Sequence, residues 1–257
     1  MGIIPSKKDK KNPPPFEEIT MLVFGIQGSG KTSFCCGDAN SVTVATEPGS
    51  NYVRTRPVDT YKWDTFLDVV EDVKAGLHKD THFCSAIVID IVDNLSELCR
   101  DHVCATLGIA YPGEKKDFGK SWSDVAKEWK SWIAYAMRLT NIRFISHEKK
   151  ETIERKNSQG LTEEIEQSVP QFSSGQGAKL LRGICDLVGH MYVNKDGRHC
   201  ISFAPSAFVG AKDRIGLLKD LGEIVLPPVP EEGFAYVSHL YEEEARKRGL
   251  EIKSRKG

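Results

Sequence analysis

The stretch from residue 21 to residue 34 reads MLVFGIQGSGKTSF. Its central octapeptide, residues 25 to 32, fits the pattern G-x-x-x-x-G-K-[ST] at every fixed position. The apolar run from Met21 to Phe24 predicts a buried strand, and the run from Thr32 to Cys36 can begin a helix. A glycine-rich turn between a strand and a helix presents backbone N–H groups and the positive end of the helix dipole to an anion. The stretch therefore predicts a phosphate-binding loop.

Two side chains of this loop have specific predicted tasks. Lys31 is expected to reach the β- and γ-phosphates of a nucleotide, and Thr32 is expected to place its hydroxyl on Mg²⁺. The predicted cofactors are accordingly ATP and Mg²⁺. The residues predicted to contact the nucleotide are Gly25, Gln27, Gly28, Ser29, Gly30, Lys31, Thr32 and Ser33.

Composition limits the remaining possibilities. The chain has 257 residues and a formal net charge of −1, so any contact with nucleic acid has to come from local basic patches. No apolar run approaches the roughly 20 residues that a membrane-spanning helix needs. The odd count of seven cysteines, with no C-x-x-C pair and no signal peptide, predicts reduced thiols in a cytoplasm.

Apolar runs and amphipathic stretches alternate along most of the chain. This order predicts an α/β fold with a mostly parallel, twisted sheet flanked by helices and an antiparallel extension near the carboxyl end. Residues 149–167 alternate around a turn at 157–160, which predicts an exposed hairpin or a mobile loop. The predicted division is a flexible, lysine- and proline-rich arm at 1–17, an ATP-binding domain at 18–226, and a solvated helix with a frayed tail at 227–257.

Two acidic residues end predicted strands. Asp90 closes the apolar run SAIVID, where a carboxylate can hold Mg²⁺ through water. Glu47 closes SVTVATE and could act as a general base that polarises water. The alternatives are a capping aspartate at a strand end and a loop glutamate before a Pro-Gly turn.

Two further groups of polar residues could contact the phosphates. Ser146 or His147, at the end of RFISHE, could sense the γ-phosphate, although a surface histidine at a strand end is common. Lys212 and Arg214 lie two residues apart, so in an extended segment their side chains would point the same way. They could serve a nucleotide as cationic fingers, or they could be ordinary solvated loop residues.

The order of these motifs resembles the RecA-like ATPase core with its AAA-type ATP-binding domain. It is most similar to compact phage RecA-like proteins that anneal or pair single-stranded DNA. The stretches that carry the resemblance, across residues 18–226, are IVIDIVDNL, YPGEKKDFGKSW, FISHEKK and GAKDRIGLL. It implies an ATPase that acts in phage DNA recombination or strand annealing, in the cytoplasm of a bacterial host.

The resemblance also implies roles for individual residues. Glu47 matches the catalytic glutamate and Asp90 matches the aspartate that holds Mg²⁺. His147 stands where the family commonly has a glutamine as γ-phosphate sensor, so the residue type differs from that of the family at this position. Lys212 and Arg214 match paired cations that reach the nucleotide of a neighbouring subunit. The implied assembly is a homo-oligomer, ring or filament, with ATP at its interfaces and a single-strand-binding protein as a possible partner.

Two loops of the family contact DNA, and their counterparts here carry several basic residues. The first runs from Tyr111 to Trp122 and the second from Lys149 to Phe172. Basic groups can neutralise phosphates while aromatic rings stack on unpaired bases. Interspersed carboxylates leave plain solvated loops as the alternative. The predicted DNA-binding residues are Lys115, Lys116, Phe118, Lys120, Lys149, Lys150, Arg155 and Lys156.

Two other functions are compatible with the sequence. A nucleotide kinase could use the polar hairpin at 149–167 as a substrate lid, although this segment holds only one arginine, Arg155. A nucleotide-binding interaction module of a replication complex could carry the same phosphate-binding loop and hydrolyse ATP slowly.

Overall fold

The computed structural model describes residues 12–38, 40–48, 53–76, 84–156, 160–172 and 175–254. Within these ranges, ten strands and six helices follow one another along the chain. The strands are β1 (Met21–Gly25), β2 (Ser41–Ala45), β3 (Pro57–Asp59), β4 (Ala86–Asp90), β5 (Asn141–Lys156), β6 (Thr162–Pro170), β7 (Leu187–Val193), β8 (His199–Ser202), β9 (Lys212–Asp213) and β10 (Ile224–Val225). The helices are α1 (Lys31–Cys35), α2 (Trp63–Ala75), α3 (Val92–Leu107), α4 (Lys120–Leu139), α5 (Gly175–Ile184) and α6 (Gly233–Lys247).

The strands form one sheet in the order β10-β8-β7-β1-β5-β4-β2-β3, with β6 paired to β5 and β9 paired to β7. The segment from β7 to β3 is parallel, whereas β6, β8, β9 and β10 pair antiparallel. This arrangement confirms the predicted fold class. Because parallel strands end at the same edge, Gly25 aligns with His147 and Ala45 aligns with Asp90. The predicted phosphate-binding residues therefore meet at one edge of the sheet.

The sheet separates two apolar layers. Alternate residues of β1 point to opposite faces, so Leu22 and Phe24 lie in one layer while Met21 and Val23 lie in the other. Helices α2, α3, α4 and α5 contribute to the first layer, and α1 and α6 contribute to the second. All five residues of β1 and of β4 are buried, which is typical of central parallel strands covered on both faces.

The segments near the two ends of the chain pack on the same core. Phe16 contacts both Phe234 and Tyr241 of α6, with ring centroids 5.0 and 5.6 Å apart, and the Tyr241 hydroxyl donates to the Pro14 carbonyl. The expected solvated helix is therefore buried along one face, because its aromatic residues cover α1. Residues 1–11 of the predicted arm and 255–257 of the tail lie outside the described residues.

Strands β5 and β6 form the hairpin that alternation predicted. They pair antiparallel from Glu148 with Pro170 to Lys156 with Thr162, and residues 157–159 of the predicted turn lie outside the described ranges. Within the described part of the chain, no helix combines the length and the apolar character needed to cross a membrane.

Candidate nucleotide-binding site

Three glycines shape the loop between β1 and α1 for two different reasons. Gly28 and Gly30 have φ angles of +80° and +93°, a backbone region that side chains disfavour. A Cβ atom on Gly28 would meet nothing within 4 Å, so the loop leaves an open cradle there. Gly25 is required by packing instead, because a Cβ atom there would lie 2.0 Å from the Met191 carbonyl oxygen. Because α1 has only five residues, the N–H groups of the loop supply much of the attraction for an anion.

Lys31 lies inside this cradle. Its Nζ atom donates to the carbonyl oxygens of Gly25 and Ile26, at 2.9 and 2.8 Å. Burial lowers the pKa of this amine, while the nearby carboxylates of Asp90 and Glu47 oppose that shift. An amine held by two carbonyls of the loop can exchange them for phosphate oxygens with a small movement of its flexible stem.

Thr32 and Asp90 form an oxygen-rich pair beside the cradle. The Thr32 hydroxyl donates to Asp90 Oδ2 at 2.9 Å, across the gap between α1 and the end of β4. Asp90 is 2% exposed, and burial raises its pKa to about 6 although the Thr32 hydrogen bond and Lys31 favour the charged form. A hydroxyl and a carboxylate oxygen beside phosphate positions are donors that suit Mg²⁺. The pair therefore fits the predicted metal, with Thr32 and Asp90 as its protein ligands.

Glu47 and His147 line the same pocket. His147 Nε2 is 3.5 Å from Glu47 Oε2, and both side chains are about one third exposed. The preceding residue, Thr46, fixes the loop that carries Glu47, because its backbone N–H donates to the Asp90 carbonyl at 2.7 Å and its hydroxyl accepts from the Ile91 N–H at 2.8 Å. The sequence analysis did not identify Thr46, which acts as a positioning residue for Glu47.

Asp93 is a second site residue that the sequence analysis missed. Its Oδ1 atom accepts from the Ser146 hydroxyl at 3.1 Å, and its Oδ2 atom accepts from the His147 N–H at 3.2 Å. Burial raises the pKa of this carboxyl. Asp93 thereby holds β5 at the point where its pairing with β1 ends, and Ser146 bonds to Asp93 while His147 lines the pocket. The signal in the sequence was a second aspartate one helical turn after Asp90.

The nucleotide pocket encloses about 470 Å³. His199 of β8 closes one side, where its Nδ1 atom donates to the Ser29 carbonyl at 3.0 Å. Val53 and Pro230 add apolar surface at the rim. The predicted residues that the structure brings together around this pocket are Gln27, Gly28, Gly30, Lys31, Thr32, Ser33, Glu47, Asp90 and His147.

Lys212 and Arg214 point the same way, as alternation predicts, but they contact the end of α5 within the same chain. Lys212 Nζ donates to the carbonyls of Arg182 and Cys185 at 2.6 and 2.7 Å. Arg214 pairs with Asp186 at 3.0 Å and donates to the Gly183 carbonyl. The last carbonyls of a helix have no intrahelical partner, so these cations satisfy them. Within this chain the two charges therefore cap a helix, and their contact with a neighbouring subunit's nucleotide stays a prediction.

The first predicted DNA loop presents an aromatic side chain to solvent. Phe118 is fully exposed at φ +55°, and Lys116 has φ +50°, so two non-glycine residues occupy the left-handed region. Asp117 holds this shape by accepting from the N–H groups of Gly119 and Ser121 at 3.1 and 2.9 Å. Lys115 donates to the Leu107 carbonyl at 3.5 Å. Within the described part of the chain, Lys116 and Lys120 have no side-chain partner.

The second predicted DNA segment is the hairpin of β5 and β6, where acidic residues outnumber basic ones. From Lys149 to Pro170, four cations face five glutamates. Lys150 lies 3.5 Å from Glu148 and donates to the Ser168 hydroxyl at 2.6 Å, and Glu154 lies directly opposite Glu164. The basic residues predicted here, Lys149, Lys150, Arg155 and Lys156, therefore lie in a mixed field rather than a basic patch.

The comparisons with known proteins agree with this geometry. A family model described as "AAA domain" matches residues 17–215, which is most of the chain. None of the curated proteins matches the sequence. The matched segment begins just before β1 and ends just after Arg214, so it contains the cradle, the Thr32–Asp90 pair and the whole parallel sheet. The chain belongs to the AAA domain family, a class of P-loop proteins that bind nucleotides and generally hydrolyse ATP.

Proposed function

We propose that this protein is a phage RecA-like ATPase that binds single-stranded DNA and hydrolyses ATP with Mg²⁺ when the strand is bound. The proposed setting is DNA recombination or strand annealing in the cytoplasm of a bacterial host. The observation that carries the proposal is the convergence of these residues on one pocket. Lys31, Thr32 and Asp90 line it, and so do Glu47 and His147, whose side chains lie 3.5 Å apart.

The proposed chemistry needs charge compensation and an oriented water. Lys31 would give up its contacts with the two loop carbonyls and donate to the terminal phosphates. When bound, Mg²⁺ would neutralise phosphate charge from its position on Thr32 and Asp90. Glu47 would accept a hydrogen bond from the attacking water, and its pairing with His147 would keep the carboxylate pointed into the pocket. A loose phosphoryl-transfer transition state requires this positioning more than it requires covalent chemistry.

The loop from Tyr111 to Trp122 is the proposed contact with DNA. Holding a non-glycine residue in the left-handed region costs about 1 kcal/mol or more, and such strain clusters at functional sites. Here it holds Phe118 outward between lysines, the combination that stacks on an unpaired base while neutralising phosphates. Asp117 accepts from the N–H groups of Gly119 and Ser121 in this loop, and Glu114 accepts from the N–H of Ala110 just before it.

The hairpin is a weaker candidate for DNA contact, and the two segments can be compared directly. Lys115, Lys116 and Lys120 would together release about three phosphate counterions, so replacing all three with alanine should reduce the slope of log affinity against log salt by about 2. Replacing Lys149, Lys150 and Lys156 with alanine should change that slope less. An equal or larger change in the hairpin variant would assign the main DNA contact to the hairpin instead.

The proposed assembly is a homo-oligomer, ring or filament, with ATP at the subunit interfaces and a single-strand-binding protein as a candidate partner. Lys31 is the lysine that lines the pocket of one chain. The triphosphate of ATP carries more negative charge than one lysine neutralises, so a cation from a neighbouring subunit could add to the binding. Lys212 and Arg214 could supply it only by leaving the end of α5. Variants Lys212→Ala and Arg214→Ala, each mixed with Lys31→Ala, should partly restore activity if these cations act between subunits. No restoration at any ratio would confine them to their role at α5.

The main test measures steady-state phosphate release from ATP and Mg²⁺, with and without an oligodeoxythymidine at low salt. We expect the oligonucleotide to stimulate release by wild-type protein and to have no effect on Lys31→Ala, which loses the phosphate-binding amine. Hydrolysis that ignores DNA, together with failure to bind the oligonucleotide, would refute the DNA part of the proposal.

The same assay separates the two competing functions. Transfer of the γ-phosphate to a nucleoside monophosphate would establish a nucleotide kinase, whereas release of free phosphate alone excludes it. ATP binding with slow turnover that no strand accelerates would favour a nucleotide-dependent interaction module of a replication complex.

A further inference from the structure

A second pocket, of about 520 Å³, lies between α3, α4 and the segment that follows β6. Helix α3 lines it with Asp93, Ser96, Glu97 and Arg100, which are spaced to share one helical face. Helix α4 lines it with a matching row, Trp122, Val125, Ala126 and Trp129, and Phe172 packs against Trp129 with the ring centroids 5.5 Å apart. The pocket is therefore walled by aromatic rings and has polar groups along one side, the usual character of a small-ligand site.

One buried donor in this pocket lacks a partner. Trp129 is 3% exposed, and its Nε1–H finds no acceptor among the described residues. The nitrogen lies beside Gly177, another residue that lines the pocket, because a Cβ atom on Gly177 would be 3.4 Å from it. A buried N–H group without an acceptor costs about 1–3 kcal/mol, so this donor is prepared for a ligand that brings a carbonyl oxygen.

The charges around the pocket select a neutral ligand. Asp93 and Glu97 are acidic, and the one cation, Arg100, already pairs with Asp101 at 2.9 Å. A phosphate would meet repulsion here. A flat ring with a carbonyl oxygen would stack on the aromatic walls and accept from Trp129. Nucleobases have this chemistry, and every base presents a π-face for stacking.

The proposed DNA loop leads directly to this pocket. Trp122 at its mouth is the last residue of that loop and follows Lys120 by two positions, and Trp122 Nε1 lies 3.8 Å from the position of a Cβ atom on Gly113. A strand whose phosphates lie against the lysines would thus have unpaired bases within reach of the opening. We propose that the pocket between α3 and α4 binds one nucleobase of the single strand, with Trp129 Nε1–H as the donor to a base carbonyl. This inference rests on the proposed binding of single-stranded DNA.

The pocket also shares residues with the nucleotide site. Asp93 lines it while accepting from Ser146 and from the His147 N–H. The Phe172 N–H donates to the Ser146 hydroxyl at 3.4 Å. A base that displaces Phe172 or Asp93 would change the hydrogen bonds of Ser146 and His147 in β5, where His147 lies 3.5 Å from Glu47. Occupancy of this pocket therefore has a short physical route to the proposed water-orienting residue.

The test compares two strands of equal length on the full-length protein, an oligodeoxythymidine and a strand that carries abasic sites instead of bases. Wild-type protein should bind the thymidine strand more tightly than the abasic strand. Trp129→Phe keeps a ring but removes the N–H donor, so its affinity for the thymidine strand should fall about threefold to tenfold with little change for the abasic strand. Trp132→Phe, on the same helix but outside the pocket, is the matched control and should behave as wild type.

A second pair of variants guards against a folding defect. Ala126→Leu places a larger side chain in the pocket from a partly exposed helical position, and Ala134→Leu makes the same change on the exposed face of α4. The first should lose preference for the thymidine strand and the second should keep it, with equal thermal unfolding midpoints. Unchanged preference in both Trp129→Phe and Ala126→Leu would overturn the base pocket. Equal affinity of the wild type for the two strands would also overturn the base pocket, although DNA binding itself would stand. That result is expected if a protein segment covers the pocket. Failure to bind either strand would refute the proposed function as well.

Discussion

The substitution Asp90→Asn should raise the free energy of unfolding of the metal-free protein. The carboxyl of Asp90 is buried, and burial raises its pKa from 3.8 to about 6. The folded state therefore binds this proton more tightly than the unfolded state does. The pKa difference between the two states is about 2 units, and each unit corresponds to about 1.4 kcal/mol. The ionised carboxylate therefore destabilises the folded state by about 3 kcal/mol at neutral pH. Asparagine cannot ionise and can still accept from Thr32.

The stability of the wild type should depend on pH because of the Asp90 carboxyl. Between about pH 4 and pH 6 the folded wild type holds a proton that the unfolded chain has released, so its stability falls as pH rises through this window. The stability of Asp90→Asn should lack this fall. The difference between the two proteins should therefore be near zero at about pH 4 and should grow to about 3 kcal/mol, in favour of the variant, by about pH 7.

The measurement is urea unfolding across this pH range with a chelator present, because a bound cation would stabilise the wild type selectively. Asp59→Asn, which changes an exposed carboxylate, is the control and should produce no comparable trend. A stability difference that is independent of pH, or that favours the wild type at neutral pH, would refute the reasoning. The variant should also fail to hydrolyse ATP with Mg²⁺, so stability and activity would move in opposite directions.

Three other substitutions test separate parts of the molecule. Glu47→Gln should leave ATP affinity intact while lowering the rate of phosphate release about 10²- to 10⁴-fold, and unaltered turnover would remove Glu47 from the mechanism. Phe118→Ala should weaken binding of an oligodeoxythymidine by about 1–3 kcal/mol, while Tyr61→Ala, another exposed aromatic truncation, should not; equal effects would argue against stacking on Phe118. Tyr241→Phe should lower the free energy of unfolding in urea by about 1–3 kcal/mol because the Pro14 carbonyl loses its donor, and an effect no larger than that of the more exposed Tyr236→Phe would contradict this.

The central strands could be predicted because continuous apolar runs are what buried parallel strands require. The predicted runs Met21–Phe24 and SAIVID match β1 and β4 to within one residue. Strands of two or three residues, such as β3, β9 and β10, could not be predicted because so few residues carry no periodicity. Their pairing is imposed by the neighbouring strands rather than by local sequence.

In the site, too, the residues that belong to a local sequence pattern could be predicted, and those placed by contacts between distant elements could not. The loop glycines and Lys31 form one local motif, and Asp90 and Glu47 were identified from strand ends that a parallel sheet brings to one edge. Asp93 and His199 were not identified from the sequence because their positions depend on contacts between distant elements. His199, for example, contacts the carbonyl of Ser29, which is 170 residues away in the sequence. Alternation correctly predicted a shared direction for Lys212 and Arg214, but the end of α5 that they cap could not be inferred from it.

The first and last described segments of the chain lie next to each other. The Lys253 N–H donates to the Pro13 carbonyl at 3.0 Å, and Ser254 donates to Glu18 at 2.5 Å. A short covalent linker could join these two points, and new ends could then be opened at the tip of the hairpin, far from both in sequence. A circular permutant of that kind should keep the same sheet order. Positions 12 and 254 are close in space. Two different proteins fused at these two positions would therefore be attached next to each other.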